Sequence, residues 1–182
     1  EREAERLNDL IGELLTLAQL ESDARGIERV PVDLLLLVRE IVENADFEAM
    51  VANRRVRMVQ DEQVAVAGVP ELLRRAIENV VRNGVRFTSD GSAVEVHLSR
   101  SEGISGPVAR ISVRDHGPGV PDESLGKLFE PFYRVTDSRD RQSGGTGIGL
   151  AITQRAVKLH GGTVHASNTP GGGMEVVLEL PC

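Results

Sequence analysis

The sequence predicts an α/β fold of the α+β kind, a two-layer sandwich in which a mixed, largely antiparallel sheet packs against helices. Segments with apolar residues at helical spacing are interspersed with segments in which apolar and polar residues alternate. Several predicted strands are joined by short turns, which a pure strand–helix–strand winding does not allow. Hydrophobic residues make up 40% of the 182-residue chain, which is enough for the core of one ordinary domain.

The chain divides into three predicted parts. Residues 1–22 place Leu and Ile at helical spacing between acidic residues and arginines, which predicts one amphipathic helix. Its apolar stripe suits a partner helix or a second copy of the chain, and it suits equally a helix folded back on its own domain. Residues 23–29 are polar, contain Gly26 and are predicted as a linker to a globular domain over 30–182. Because Glu1 lies within the predicted helix, we expect the chain to be a piece of a longer protein.

Seven strands and four helices are predicted in the globular part. The strands, which show apolar alternation, cover residues 30–32, 56–59, 64–67, 94–99, 108–113, 163–166 and 174–180. The helices, which show helical spacing, cover residues 34–53, 70–87, 123–129 and 148–160. Pro31 places the first strand at a sheet edge, Asp33 suits the N-cap of the first helix, and Pro70 is acceptable in a first helical turn. The fourth and fifth strands are predicted to form a hairpin, with Gly103 and Gly106 in its loop, and the last two strands to form another pair.

Charge and composition exclude several classes of protein. The formal net charge of -7 argues against a general nucleic-acid surface, which normally carries a basic excess. The single cysteine, Cys182, has no intrachain partner, so the chain has no disulfide framework. No apolar run is long enough to cross a bilayer, so we expect no direct membrane contact by this chain.

One face of the second predicted helix collects side chains suited to a polyphosphate. At about 100° per residue, Asn79 and Asn83 share this face with three arginines, Arg75, Arg82 and Arg86. An amide oxygen can join the mostly aqueous shell of Mg²⁺, and a guanidinium can pair with phosphate oxygens. Taken alone, the same face is also what a solvated helix surface looks like.

A second cluster, Asp115-His116-Gly117-Pro118-Gly119, follows the fifth predicted strand. A carboxylate at a strand end can accept a hydrogen bond from an exocyclic amine such as that of adenine, and the neighbouring glycines let the backbone approach a flat ligand. Taken alone, the cluster is equally a simple turn, because Asp, Gly and Pro are common turn formers.

Three glycines, Gly145, Gly147 and Gly149, lie at the start of the fourth predicted helix. Glycines at a helix N-terminus present free N–H groups and the positive end of the helix dipole to an anion. The run is not a P-loop, because no Lys-Ser or Lys-Thr pair follows it, and a charged loop precedes it where a dinucleotide fingerprint has a strand. We interpret it as a phosphate-binding turn, the alternative being a flexible loop.

A polar, charged and glycine-containing segment over 133–147 is predicted to be a mobile loop. Phe129 and Phe132 precede it and are interpreted either as the anchor of a lid or as core residues at the end of a short helix. The loop also contains three arginines that either reach phosphate or stay solvated, namely Arg134, Arg139 and Arg141.

In this order the clusters resemble the N, G1, F and G2 boxes of the histidine kinases, which share an ATP-binding superfamily with gyrase, the Hsp90 chaperones and MutL. The matching patterns are Asn79-x-x-x-Asn83, Asp115-x-Gly-x-Gly, Phe129-x-x-Phe132 and Gly145-x-Gly-x-Gly. The resemblance covers about residues 30–181 and implies the Bergerat-type ATP-binding fold. Residues 1–22 resemble the second helix of the kinase dimerisation hairpin, and the stretch over 129–150 is especially similar to that of envelope-stress sensor kinases.

The resemblance implies roles for residues of the second predicted helix around ATP and Mg²⁺. Asn83 would be a ligand of the magnesium ion. Asn79 and Arg86 would act at the phosphates as the catalytic residues, and Phe87 would lie near the nucleotide. Gly84 stands where the family usually has Ala, which costs the helix about 1 kcal/mol without removing the site.

The remaining boxes imply a cofactor pocket and its lid. Asp115 would bind the adenine amine in a pocket shaped by Gly117 and Gly119. The residues that would support the lid and the phosphates are Gly145, Gly147, Gly149 and Leu150.

The function that the resemblance implies is transfer of the ATP γ-phosphoryl group to a histidine on the first hairpin helix, for relay to an aspartate of a response regulator. Homodimerisation through the hairpin and a place in the cytoplasmic part of a bacterial inner-membrane sensor are implied as well. None of the histidines His97, His116, His160 and His165 lies in the acceptor motif, so we expect no self-phosphorylation by this chain. The alternatives are a hydrolytic ATPase of the same superfamily and a non-enzymatic nucleotide-binding or dimerisation module.

Overall fold

The computed structural model describes residues 11–12, 14–15, 28–103, 106–135 and 145–182. Within the described globular part the strands are β1 (Val30–Asp33), β2 (Arg55–Asp61), β3 (Ala65–Gly68), β4 (Ala93–Gly103), β5 (Gly106–Arg114), β6 (Thr163–Asn168) and β7 (Met174–Pro181). The helices of the same part are α1 (Leu34–Met50), α2 (Pro70–Phe87), α3 (Asp122–Leu125) and α4 (Gly149–Leu159).

The strands form two sheets. The larger one has the strand order β2-β4-β5-β7-β6, in which β2 runs parallel to β4 and every other neighbouring pair is antiparallel. The smaller one pairs β1 with β3 in antiparallel fashion. The predicted fold class, a mixed and largely antiparallel sheet packed with helices, is therefore confirmed, and so are the two predicted hairpin pairs.

The helices cover one face of the larger sheet because alternate strand residues are apolar and buried there. On β4 these residues are Val94, Val96 and Leu98, none of which is exposed. Helices α1 and α2 turn their aliphatic faces toward them, and Val38 and Ile77 are fully buried. Burial of apolar surface is the main stabilising contribution to folding. Here that surface is mostly aliphatic, because the chain has few aromatic residues.

Several predicted boundaries are wrong. Helix α1, predicted to reach residue 53, ends at Met50, because Asn53 takes a left-handed conformation (φ 53°) that turns the chain into β2. The short helix predicted over 123–129 is observed as α3, which begins one residue earlier and ends at Leu125, and turns follow it. Gly103 and Gly106, predicted in a loop, are paired with each other at the ends of β4 and β5.

Residues that mark the ends of helices predicted those ends correctly in two cases. Asp33 caps α1 as predicted, its Oδ1 accepting the N–H of Leu36 at 3.1 Å. Helix α2 begins at Pro70 and ends at Phe87, as predicted.

The predicted helix over 1–22 and linker over 23–29 fall mostly outside the described residues, so this division of the chain stays a prediction. Residues 11–12 and 14–15 are helical, and Ile11, Leu14 and Leu15 are exposed. In the part of the chain that the structure describes, no helix combines the length and the apolar character that a bilayer span needs.

Candidate functional site

Helix α2 places three of the predicted residues on one half-buried face, Asn79, Asn83 and Arg86. The buried residues on its other side fix the rotation of the helix about its axis. Arg75 and Arg82, predicted on the same face, are exposed, and Arg75 forms an ion pair with Glu71 at 3.3 Å. These two arginines therefore lie at the solvated edge of the face. For them the alternative given by the sequence, a solvated helix surface, applies.

Asn79 connects α2 to the first turn of α4. Its Nδ2 donates a hydrogen bond to the carbonyl oxygen of Gly149 at 3.1 Å. Thr153 strengthens the same helix contact by donating from Oγ1 to the carbonyl of Ala76 at 3.0 Å. A Cβ added to Gly149 would meet Asn79 at 3.4 Å, an ordinary contact distance. The structure thus brings the N-box helix and the glycine-rich helix start together.

One turn further along α2, the side chain of Asn83 makes no hydrogen bond to any described residue. Its amide is half-buried and available to a ligand. A lone amide oxygen suits an ion that keeps several waters and binds phosphate oxygens, as Mg²⁺ does. The described residues hold no group of three or more His, Cys, Asp or Glu that could enclose a metal by themselves.

The guanidinium of Arg86 lies against the backbone of Gly145. A Cβ added to Gly145 would come within 1.7 Å of Arg86 Nη1, so any larger residue would displace the guanidinium. Arg86 also lies over the ring of Phe87, with Cζ 5.2 Å from the ring centroid. Arg86 therefore connects the helix that carries the asparagines to the glycine-rich turn.

Asp115 immediately follows β5 and is buried, with 4% exposure. Its Oδ1 accepts the N–H groups of Gly117 at 2.8 Å and of Met174 at 3.3 Å, and the described residues donate no hydrogen bond to Oδ2. Burial raises the pKa of the Asp115 carboxyl, although both backbone N–H groups oppose the shift. An amine donor that reached Oδ2 would compensate the buried charge.

The glycines beside Asp115 are required sterically. A Cβ on Gly117 would lie 2.3 Å from the carbonyl oxygen of Phe87, a backbone atom that can move aside only if the end of α2 shifts. Gly119 has a φ of 72°, a left-handed conformation that L side chains disfavour. The predicted pocket-shaping role of these two residues is consistent with this packing and stays a prediction for the nucleotide itself.

Thr88, which our sequence interpretation missed, is the first residue after α2 and is 1% exposed. Its Oγ1 accepts the N–H of His116 at 3.0 Å and shares a hydrogen bond with Ser92 Oγ at 2.6 Å. Nothing local in the sequence indicates this contact, because Thr88 and His116 belong to separate elements.

Gly173 and Asn168 were missed as well. A Cβ on Gly173, whose φ is 90°, would lie 2.0 Å from the carbonyl oxygen of Asp115. Asn168 bonds through both side-chain atoms to the backbone of Val120, at 2.9 and 2.7 Å. The run of three glycines over 171–173 signals a left-handed turn in the sequence, but its contact with Asp115 depends on strand pairing.

Phe132 has an unusual backbone for an aromatic residue, with a φ of 67°, and its side chain is 58% exposed. Its N–H donates to the carbonyl of Gly147 at 2.9 Å, and Gly147 itself has a φ of 76°. A Cβ on Gly147 would lie 3.0 Å from the carbonyl carbon of Phe132. The F and G2 motifs therefore support each other through their backbones.

Other predicted residues have mixed outcomes. Leu150 is half-buried and packs against the core, while its nucleotide role stays a prediction. Phe129 also packs against the core, whereas Arg134 is exposed. Arg139 and Arg141 lie outside the described residues, so their predicted contacts with phosphate stay predictions.

His160 joins the far ends of the two site helices. Its Nε2 accepts the N–H of Val69, the residue before α2, at 2.9 Å, and its Nδ1 lies 2.7 Å from the carbonyl of Ala156 on α4. These partners define a neutral ring that donates from Nδ1. Burial lowers the pKa of His160, and the charge of Arg29 acts in the same direction. The expected structural role of this histidine is thus observed.

Comparisons with known proteins agree with this arrangement. Residues 68–182 match the family model described as histidine kinase-, DNA gyrase B- and HSP90-like ATPase. The sensor histidine kinase CpxA of Escherichia coli strain K12 is 36% identical over 183 residues, which cover 100% of this chain and 38% of CpxA. This chain therefore spans well under half the length of that relative.

Two solved structures are similar as well. Full-length ShkA in complex with AMPPNP is 30% identical with a TM-score of 0.75, over 99% of this chain and 37% of ShkA. The ATP-binding domain of PrrB from Mycobacterium tuberculosis is 28% identical with a TM-score of 0.66, over 85% of this chain and 98% of that domain.

Proposed function

The chain belongs to the family of histidine kinase-, DNA gyrase B- and HSP90-like ATPases, and on that basis we propose that it binds ATP and catalyses phosphoryl transfer to a histidine. Its relatives CpxA and ShkA support the histidine kinase branch of this family. The observation that carries the proposal is the buried carboxylate of Asp115, whose Oδ1 is fixed by two backbone N–H groups. Its Oδ2 is left for the exocyclic amine of adenine.

The phosphates of ATP would lie between α2 and the start of α4. Arg86, next to Gly145, would pair with phosphate oxygens, and Asn79 would line the same site. The uncapped N-terminus of α4 adds N–H groups and the positive end of a helix dipole. Gly147 lets the backbone turn closely around this region.

Asn83 is the residue that would hold Mg²⁺, because its amide has no other partner among the described residues. The ion would neutralise charge on the β- and γ-phosphates during transfer. This chain would orient the nucleotide and supply cationic groups around it, because phosphoryl transfer asks little covalent work of the protein.

Asn79 favours transfer over hydrolysis. A hydrolytic relative needs a general base that activates water, and an amide cannot act as a base. Glu78 is adjacent in sequence but lies about 100° away around the helix, where it is 3.9 Å from Arg74. A carboxylate that lies beside a guanidinium on another face of α2 is a poor substitute for the general base of a hydrolytic relative.

In the whole protein, the phosphoryl acceptor would be a histidine on the first helix of a dimerisation hairpin, and the next acceptor an aspartate of a response regulator. Residues 1–22 would be the second helix of that hairpin and would form a homodimer. The domain would act on the cytoplasmic side of a bacterial inner membrane.

The test is transfer from radiolabelled Mg-ATP to a separately produced hairpin that carries an acceptor histidine. We expect labelled phosphohistidine with the native chain and none with Asp115→Asn or Asn83→Ala. Steady release of phosphate that depends on Glu78, without labelled hairpin, would favour the hydrolytic alternative. Tight ATP binding without transfer to any hairpin would favour the non-enzymatic module.

A further inference from the structure

Arg54 lies in the turn between α1 and β2, and its side chain contacts the C-terminal end of α2. Its Nη1 donates hydrogen bonds to the carbonyl oxygens of Val85 at 2.8 Å and Arg86 at 3.0 Å. Its Nε and Nη2 bond to Asp90 Oδ1 at 3.2 and 2.9 Å. The side chain of Arg54 is 23% exposed and that of Asp90 is 77% exposed. The guanidinium is therefore largely enclosed, and its inner edge faces the helix end.

A helix leaves its last four carbonyls without intrahelical partners. In α2 the first of them, on Gly84, accepts the N–H of Thr88 at 2.9 Å. The next two are the carbonyls that Arg54 serves. A cation at this point also opposes the negative end of the helix dipole. Arg54 thus satisfies two of the carbonyls in the last turn of α2.

That turn carries Arg86, one of the residues that the proposed function places at phosphate, and one wall of the proposed adenine pocket. Arg86, whose carbonyl Arg54 holds, lays its guanidinium against Gly145. The carbonyl of Phe87 lies where a Cβ on Gly117 would approach within 2.3 Å. A shift of this turn by a few tenths of an ångström would therefore disturb the Arg86 contact and the wall of the adenine pocket together.

We propose that Arg54 is a positioning residue for nucleotide binding, which acts by holding the last turn of α2 so that Arg86 meets phosphate. The inference rests on the proposed function, because it takes Arg86 as the phosphate contact. Arg54 itself touches no group that we assign to the nucleotide.

The neighbouring Arg55 is a matched control. It forms a two-pronged ion pair with Asp46 on α1, with Nε–Oδ1 and Nη2–Oδ2 distances of 2.8 and 2.7 Å. Both arginines therefore lose a carboxylate partner when replaced by Met, but only Arg54 also releases carbonyls of α2.

The experiment measures the dissociation constant of Mg-ATP by calorimetry for the native chain, Arg54→Met, Arg54→Lys and Arg55→Met. We expect Arg54→Met to weaken binding by about tenfold, the effect of losing one charge-assisted hydrogen bond. Lys keeps a cationic donor and should restore most of the affinity, and Arg55→Met should stay within about twofold. Equal affinity of Arg54→Met and the native chain would overturn the inference.

Two further measurements distinguish a positioning role of Arg54 from a general loss of stability. In an Arg86→Met background, adding Arg54→Met should weaken Mg-ATP binding by clearly less than the roughly tenfold loss expected in the native background, because coupled residues are not additive. If Arg54→Met weakened Mg-ATP binding as much in the Arg86→Met background as in the native chain, Arg54 would not act through Arg86. Hydrogen exchange of the Thr88 amide should accelerate in Arg54→Met and not in Arg55→Met.

The hydrogen-exchange measurement does not depend on nucleotide. If Arg54→Met folds poorly, it can be made on Arg54→Lys, where one ammonium replaces three donating guanidinium nitrogens and a smaller acceleration is expected. Unchanged Thr88 exchange in both Arg54 variants would overturn the inference even if the native chain binds ATP. Absence of Mg-ATP binding by the native chain would instead contradict the proposed function, and the inference about its site would fail with it.

Discussion

The hydroxyl of Thr88 accepts a hydrogen bond from the backbone N–H of His116, with Oγ1 and N 3.0 Å apart. Ser89 Oγ adds a second bond, donated to the carbonyl of His116 at 2.7 Å. Because His116 lies directly after Asp115, these contacts fix the carboxylate motif to the end of α2. The residues proposed for adenine are therefore hydrogen-bonded to the end of the helix that carries those proposed for phosphate.

Replacement of Thr88 by Val should destabilise the domain, because the partly buried N–H of His116 would lose its acceptor. We expect a decrease of about 1–3 kcal/mol in the free energy of unfolding, measured by urea denaturation, together with weaker ATP binding. The control is Thr163→Val at an exposed strand position, which should change stability by less than about 0.5 kcal/mol. Equal stability of the two variants would contradict the assigned role of Thr88.

Gly117→Ala should abolish ATP binding and destabilise the fold. The new Cβ would meet the Phe87 carbonyl oxygen at 2.3 Å and Asp115 Oδ1 at 3.0 Å, so both the pocket and the carboxylate would have to shift. Gly126→Ala is the matched control, since nothing lies within 4 Å of its added Cβ. Thermal unfolding and calorimetry check this prediction, and an ATP-binding Gly117→Ala chain would refute it.

Gly145→Ala should separate binding from stability. The added Cβ would collide with the tip of Arg86, a flexible side chain that can move away at little cost to the fold. We expect the free energy of unfolding to change by less than about 0.5 kcal/mol, while the affinity for ATP falls. Adenosine, which has no phosphates, should bind as before, and a parallel loss of adenosine affinity would argue against the phosphate role of Arg86.

The stability of the domain should decrease as the pH falls below the ordinary pKa of histidine, about 6.5. Burial lowers the pKa of His160 in the folded state, so the unfolded chain binds a proton more readily. The stabilising contribution of the neutral ring is complete above this pH and is progressively lost below it.

Denaturation curves between pH 8 and about pH 5 measure this loss. His160→Gln should flatten the dependence on pH, whereas His165→Gln, at an exposed position, should leave the slope of the native chain unchanged. An unaltered slope in His160→Gln would show that another group causes the loss.

Periodicity within one element was enough to predict a large part of the site. Helical spacing placed Asn79, Asn83 and Arg86 together, and the structure keeps all three on a half-buried face of α2. The same spacing also included Arg75 and Arg82, which are exposed. A helical wheel gives the angle of a side chain but not how far the neighbouring helix α4 extends. It therefore could not show that these two arginines lie outside the half-buried part of the face.

Contacts between distant segments could not be predicted in this way. Strands β2 and β3 are near neighbours in the sequence, yet β2 pairs with β4 and β3 pairs with β1. The contact of Gly173 with Asp115 follows from the pairing of β5 with β7, and the contact of Thr88 with His116 follows from the packing of α2 on the sheet. They depend on register between strands and helices, for which neither composition nor spacing carries a signal.

The most direct test of nucleotide binding at Asp115 is the thermal unfolding shift caused by Mg-ATP in the native chain and in Asp115→Asn. At about 100 times the dissociation constant, binding should add about 2.7 kcal/mol and raise Tm by several degrees, at roughly 2–4 °C per kcal/mol. Because burial raises the pKa of this carboxyl, its charged form opposes folding at neutral pH, so Asp115→Asn without nucleotide should be at least as stable as the native chain. Loss of the shift in this stable variant would establish the adenine contact, whereas no shift in the native chain, or an equal shift in both, would contradict it.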